Sequence, residues 1–393
     1  MTRRLAVVDG FRGFFLLFMA QHHFNGVLGV RIGLINHEYF GWVDVAQGFV
    51  FLSGLMVGLV HGRRYQADPT GFAGPIRRRA ATIYLYQLAL ILLLCAAAHL
   101  LGPRVPPVLA PYLASPALFP VVSALLVTGS VHMGILPMYV LFLLASPMAI
   151  RWLARGWDLP FAFAVLLLWM VGQTGLTEAA AGQIAMALDG GAIRLGLGFN
   201  ALAWQALFFG GLYCGFRSAE GRLDLGVLGQ EQGRVAFLIA VGAILALGLF
   251  DRIVGWDLLG RTYSAQFAAQ ADRAWMAWIY AASFAIDLYA MVWLLRIGPT
   301  DRNRLVRAAA RACGRLFTAP PLVLLGQHSL PVFAAHVLLF YALATLVPPL
   351  GLGELGRSLI LLAALAALWP AALIHRRFQT LTRPRPALSV AAE

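Results

Sequence analysis

The chain is divided into apolar runs of about 18–25 residues, each long enough to cross ~30 Å of hydrocarbon as a helix. Lipid offers no hydrogen-bond partner to a bare backbone, so such runs have to be helical. Only 12% of the residues are charged, where a soluble chain carries roughly 25%. That is too little charge to coat a water-soluble globule. The pattern predicts an all-α polytopic membrane protein with about ten transmembrane helices, near residues 10–30, 42–61, 80–101, 133–153, 159–175, 200–217, 234–253, 274–296, 320–347 and 357–375. The stretch Pro116–Thr128 is also apolar, but it is shorter and bracketed by prolines, and reads as an interfacial or re-entrant piece.

The formal net charge is +13 and the chain contains no lysine. Nucleic-acid binding would need a contiguous basic face, whereas these arginines sit in short clusters between apolar runs. Arg3/Arg4, Arg63/Arg64 with Arg77–Arg79, Arg151/Arg155, Arg217/Arg222, the run from Arg302 to Arg315, and Arg376/Arg377 with Arg383/Arg385 occupy alternate loops. The intervening loops hold only Arg31, Arg104, Arg194, Arg261 and Arg273, with Arg252 at a helix end. Ten helices with both termini cytoplasmic satisfy the positive-inside rule, and nine or eleven would break it. The longest non-spanning segment has about thirty residues, so residues 1–393 form a single domain and any chemistry must use the bundle itself. Cys95 and Cys214 lie in apolar runs and Cys313 in a basic loop, which implies no disulfide framework. The first apolar run is too long for a cleaved signal and carries Arg12, His22 and His23.

A charge at mid-membrane costs about 2.5–3.5 kcal/mol on insertion scales, so ionisable groups in spans are candidates for function. The first span holds the densest set, Asp9, Arg12, Gln21, His22, His23 and Asn25. Arg12 and His23 fall within about 20° of one another on the helix surface and roughly 16 Å apart along its axis. Asp9, one turn before Arg12, can pair with it. His22 points about a quarter-turn away. Arg12 can equally snorkel to the headgroups, and the histidines can simply bond neighbouring helices. The ninth span holds Ser329, Pro331 and His336; the proline frees a backbone carbonyl and should kink the helix there. Asp44 and Asp251 mark the outer ends of their spans and Asp287 lies near the middle of the eighth. No familiar metal-ligand spacing, phosphate-cradling glycine loop or nucleophile elbow is present.

The stretch Asp9-Gly-Phe-Arg12-Gly, with a histidine eleven residues after the arginine, resembles the opening helix of the membrane acyltransferase family 3. More closely it resembles the OpgC family, whose name-giving activity is succinylation of osmoregulated periplasmic glucans. The resemblance continues through Gly41-Trp-Val-Asp44-Val-Ala-Gln47-Gly-Phe49-Val-Phe-Leu-Ser53-Gly54, Arg77–Arg79 with Tyr84 and Tyr86, Leu136-Pro-Met-Tyr139, Asn200-Ala-Leu-Ala-Trp204-Gln205 and Gly326-Gln-His-Ser329-Leu-Pro-Val-Phe333-Ala-Ala-His336. Gln47 stands where that family usually has glutamate. If that carboxylate moves a proton, activity or substrate differs here; otherwise Gln47 keeps the hydrogen bond and loses only the charge.

The resemblance implies O-acylation of a sugar hydroxyl of a periplasmic glucan or other glycan. The donor would be cytoplasmic acyl-CoA, such as succinyl-CoA, as co-substrate with no bound cofactor, in a multi-pass protein of the bacterial inner membrane. Acyl transfer to an alcohol needs a base, and neutral histidine suits that task near pH 7. His23 is the candidate base, with Arg12 and Asp9 beside it. His336, Ser329, Asp44, Gln47, Tyr139, Trp204 and Gln205 are candidate substrate contacts. Arg77, Arg78, Arg79 and Tyr84 are candidate contacts to the CoA phosphates, although topology alone also explains the arginines. A proton-coupled secondary transporter would also place His and Asp in mid-membrane, and a non-catalytic partner in an envelope assembly is a third reading. The arginine alternation makes the first test one of topology. Reporter fusions at either terminus should read cytoplasmic, and a C-terminus outside would remove the inward-facing donor entrance.

Overall fold

The computed structural model describes residues 3–35, 41–102, 105, 107, 109–128 and 132–382; Arg104, Arg383 and Arg385 lie outside them. The first half of the chain forms α1 (Arg3–Leu28), α2 (Val45–Ala67), α3 (Ala73–Leu101), α4 (Pro111–Ala114), α5 (Leu118–Ala124), α6 (Ile135–Ala154), α7 (Asp158–Gly172), α8 (Leu176–Asp189) and α9 (Ala201–Ala219). The second half forms α10 (Glu231–Gly255), α11 (Arg261–Gln270), α12 (Trp278–Arg296), α13 (Arg304–Leu316), α14 (Pro320–Gln327), α15 (Ser329–Leu346), α16 (Glu354–Ala366) and α17 (Leu368–Thr382). Among the described residues there is no strand, only an isolated bridge between Thr128 and Gly196.

Each expected apolar segment is helical, yet the expected ten spans are not all confirmed as spans. Seven helical segments are long and apolar enough to cross a membrane, or eight if α7 and α8 count as one span bent by 55°. The helices α1 and α9 fall outside that group because polar side chains interrupt their apolar runs. Arg12 and the two histidines lie on α1, and Gln205 and Arg217 on α9. Both polar residues of α9 are buried in the bundle, so an interrupted run here marks an inward-facing helix. The bend between α7 and α8 falls at Gly175, in the left-handed conformation with φ 72°, which glycine adopts without steric cost. The apolar pattern alone predicts a loop over 176–199, whereas residues 176–189 are helical. The stretch Pro116–Thr128 contains only the short α5, consistent with a piece that does not cross.

Close backbone packing assembles the centre. A Cβ built on Gly54 or Gly58 of α2 would overlap the carbonyl oxygen of Phe208 or Leu212 on α9. Reciprocally, one on Gly211 or Gly215 would overlap the carbonyl of Phe51 or Leu55. This is small-xxx-small packing, in which absent side chains let two backbones approach. On the other flank, Gly10 and Gly13 of α1 meet the carbonyls of Phe317 and Leu322, and Gly326 of α14 meets that of Asp9. Here α1 is pressed against the segment leading into α15. That segment is interrupted at His328, with α14 ending at Gln327. Pro331 has no N–H to bond the Gln327 carbonyl four residues back, which accounts for the break.

The basic loop from Arg302 to Arg315 is mostly helix α13, with Arg304, Arg307, Arg311 and Arg315 recurring at helical spacing. Between α2 and α3, Asp68 accepts from the Thr70 hydroxyl and from the Thr70 and Gly71 amides. Those bonds hold its carboxyl below the usual range. The three cysteines are free.

The packing separates two neighbouring glycines of α9. Gly211 faces α2, while a Cβ on Gly210 would meet nothing within 4 Å. Gly211→Leu should abolish or sharply lower the yield of folded protein, exceeding the roughly 1–3 kcal/mol typical of overpacking. Gly210→Leu should be nearly neutral. Size-exclusion profiles and thermal unfolding in detergent distinguish the two, and equal behaviour would contradict the α2–α9 contact.

Candidate functional site

The α1 stripe predicted from helical periodicity faces the interior, between α2, α6 and α15. Towards the start of α1, Arg12 Nη2 donates to Ser329 Oγ at 2.6 Å, and Nη1 lies 3.7 Å from Asp9 Oδ1. The guanidinium also sits 5.8 Å from the centroid of the Phe49 ring. The sequence pairing of Asp9 with Arg12 is therefore present, with Ser329 as a partner from the far end of the chain. Arg12 Nε and Ser53 Oγ are buried and make no hydrogen bond among the described residues. Both residues border a cavity of about 30 Å³, together with Arg79 and Tyr139. Two cations, the hydroxyls of Ser53 and Ser329 and a phenol around one small space make a chamber suited to an anionic or strongly polar group.

Three turns further along α1, His23 borders a second cavity of about 50 Å³ with His22, Asp44, His132 and Arg273. Ile135 and Phe333 line both cavities, so the two chambers abut at this pair of apolar side chains. His23 Nδ1 lies 2.7 Å from His336 Nε2, with the two rings stacked at 5.0 Å between centroids. The His132 ring meets the His23 ring edge to face at 4.7 Å. His22 borders the chamber as well, despite its offset on the helical wheel.

Several expected contacts have local structural tasks. Asp44 caps α2, its Oδ1 accepting from the Ala46 amide at 2.6 Å, and its Oδ2 accepts from Arg273 Nη1 at 3.0 Å. Gln47 closes the same capping box: its Oε1 accepts from the Asp44 amide at 2.8 Å and its Nε2 donates to the Tyr280 carbonyl at 3.0 Å. It is fully buried and borders neither chamber. The donor half of the side chain, which an ionised glutamate lacks, ties α2 to α12. Trp204 donates from Nε1 to the carbonyls of Arg273 and Ala274, and Gln205 from Nε2 to that of Val165. Of the arginine cluster, Arg79 alone borders a chamber, although all three arginines are exposed. The Tyr84 hydroxyl donates to the Ala124 carbonyl and so anchors α5.

Arg273 and His132 were not singled out from the sequence. Arg273 lies on a loop whose carbonyls are fastened from below. Besides the Trp204 bonds, Trp169 Nε1 donates to the Met276 carbonyl and Gln173 Nε2 to that of Trp275. The available signal was an arginine beside Asp272 in a loop on the side with fewer arginines. His132 is placed by the segment around it. The Thr128 hydroxyl donates to the Arg194 carbonyl at 2.6 Å, and Gly134 lets the chain touch the Leu197 carbonyl. Both neighbours are distant in sequence, so no local pattern announces this histidine.

Fold and site together define a polytopic membrane protein with two adjoining chambers between its helices, one bordered by arginines and one by imidazoles. A family model described as OpgC protein matches residues 3–380, and the chain belongs to that family. No curated protein and no solved structure matches the chain. Membership suggests a glucan-modifying, acyltransferase-like membrane protein with a transferase role.

The geometry of Gln47 yields a test of its role. Gln47→Leu removes both bonds and should destabilise the protein by about 1–3 kcal/mol for each buried group left short of a partner. Gln47→Glu, which keeps the acceptor for the Asp44 amide, should fall between that variant and the parent. Thermal unfolding in detergent reads the order.

Proposed function

We propose that the protein transfers an acyl group from an acyl-CoA, such as succinyl-CoA, to a hydroxyl of a periplasmic glucan or related glycan in the inner membrane. The observation that carries this reading is the arrangement of the chambers. A cation-lined chamber at Arg12 and Arg79 abuts an imidazole-lined one at His23, on the same face of one helix. The donor's charged part belongs with the cations and the acceptor hydroxyl with the imidazole. The reacting carbonyl then sits near the septum of Ile135 and Phe333.

In the transfer His23 takes the hydroxyl proton as the sugar oxygen attacks the thioester carbonyl. The C–O bond forms and the C–S bond breaks. The proton held by His23 passes to the departing thiolate, leaving ester and free thiol with the imidazole neutral again. Arg12, oriented by Asp9 and Ser329, holds negative charge on the donor side. Arg273, paired with Asp44, stands at the acceptor side beside the base.

A carrier is the competing reading, since the chain has a bent helix pair, α7–α8, and a helix break at His328 next to Ser329 of the Arg12 chamber. Purified protein supplied with radiolabelled succinyl-CoA and a glucan acceptor separates the two. An enzyme releases CoA and moves label to the glucan in detergent, whereas a carrier leaves the thioester intact. His23→Ala should lower transfer by the 10²–10⁴-fold typical of a positioned general base, with normal expression and folding. Arg79→Ala should raise KM for the donor more than Arg77→Ala or Arg78→Ala does. Parental turnover in the His23 variant would remove the base assignment.

A further inference from the structure

His336 was expected from the sequence to touch substrate, but its ring has no nitrogen to spare. It is 1% exposed, and its Nδ1 lies 3.1 Å from the Phe333 carbonyl oxygen one turn back on α15. A carbonyl can only accept, so Nδ1 carries the proton and donates. In a neutral imidazole the other nitrogen is then an acceptor. His336 Nε2 faces His23 Nδ1 at 2.7 Å, so His23 must be the donor across that bond. A neutral His23 protonated at Nδ1 has its lone pair at Nε2. That atom has no hydrogen-bond partner among the described residues, and His23 borders the chamber.

From this chain we infer that His336 is a positioning residue: through the order Phe333 carbonyl, His336, His23, it fixes His23 in the Nδ1–H tautomer and presents Nε2 to the acceptor hydroxyl. The assignment rests on the transferase reading for its consequence, though not for its geometry. One neutral ring orients another here, a task often given to a carboxylate or a backbone carbonyl. The arrangement also has room for the proton. When Nε2 takes the hydroxyl proton, His23 becomes an imidazolium still bonded through Nδ1 to His336. Moving that Nδ1 proton across the 2.7 Å bond makes His336 the cation, with both of its N–H groups engaged by His23 and Phe333. The positive charge is thus shared by two rings. No further acid or base is required, and the proton returns by the same bond when the thiolate leaves.

The test compares His336→Leu with His336→Gln in the full-length protein, reading kcat, KM for succinyl-CoA and the ¹⁵N NMR signals of labelled histidines. His336→Leu removes the acceptor for Nδ1–H and should lower kcat on the order of 10²-fold, within the range lost with a general base, while leaving donor KM near the parental value. His336→Gln offers an amide oxygen in its place and should recover a large part of that loss. In the parent, the His23 resonances should show Nδ1 protonated and Nε2 bare, and the leucine variant should lose that preference. Equal kcat in the two variants, or a parental His23 protonated at Nε2, would overturn the assignment. A rise in donor KM with unchanged kcat would return His336 to a binding role. If the leucine variant fails to fold, the parental spectrum still decides. Absence of acyl transfer by the parent would sink the proposed reaction, with the tautomer still read independently by NMR.

Discussion

Within a bilayer, helices gain little from hiding apolar surface, because lipid tails are as apolar as leucine, so their association depends on how closely their backbones can approach. Two glycine-lined contacts meet that condition in this protein. Gly54 and Gly58 on α2 interlock with Gly211 and Gly215 on α9, and Gly10 and Gly13 on α1 fit against the segment containing Gly326. The second contact brings Arg12 within reach of Ser329, 317 residues further along the chain. It also sets the register in which His23 meets His336 two turns later. A side chain at any of these glycines would push α1 or α2 outward, and the polar groups would lose partners in a medium that supplies none.

The polar groups show a division of labour. Those bordering the chambers are few, and a larger set fastens the backbone around them. Trp169, Gln173 and Trp204 direct N–H groups at one loop, and Gln47 couples the start of α2 to the start of α12. Outer groups of this kind hold a site to its working geometry. They account for why polar side chains are spent in a membrane interior on residues that border neither chamber.

Much of the fold could be read from the sequence because one rule, satisfying the backbone in lipid, admits few solutions. The expected segments are helical for that reason, and the shared face of Arg12 and His23 followed from the pitch of the helix. The span count was less legible. Hydropathy measures apolarity, and α1 and α9 sacrifice apolarity to line the interior. The site was legible where its residues share one helix and obscure where they come from several. His132 and Arg273 reach the His23 chamber from loops whose positions depend on distant packing. Gln47, Trp204 and Gln205 carried the family pattern, yet a motif alone does not separate a side chain that touches ligand from one that braces the backbone.

The pair Ile135 and Phe333, where the two chambers meet, has a consequence for the membrane as a whole. A bundle with a polar recess at each side of an apolar pair is a short distance from being a pore. A dry constriction of this kind resists ions, since a bare charge cannot bring its water through it. Energised membranes store about 2.3 kcal/mol per elementary charge for each 100 mV, and a continuous file of water past His23 would discharge that store through the imidazoles. Under the proposed reaction, the same two side chains that would bring donor and acceptor spaces into contact would also keep the membrane electrically sealed. Enlarging the passage for a bulkier acyl group would trade substrate range against proton leak.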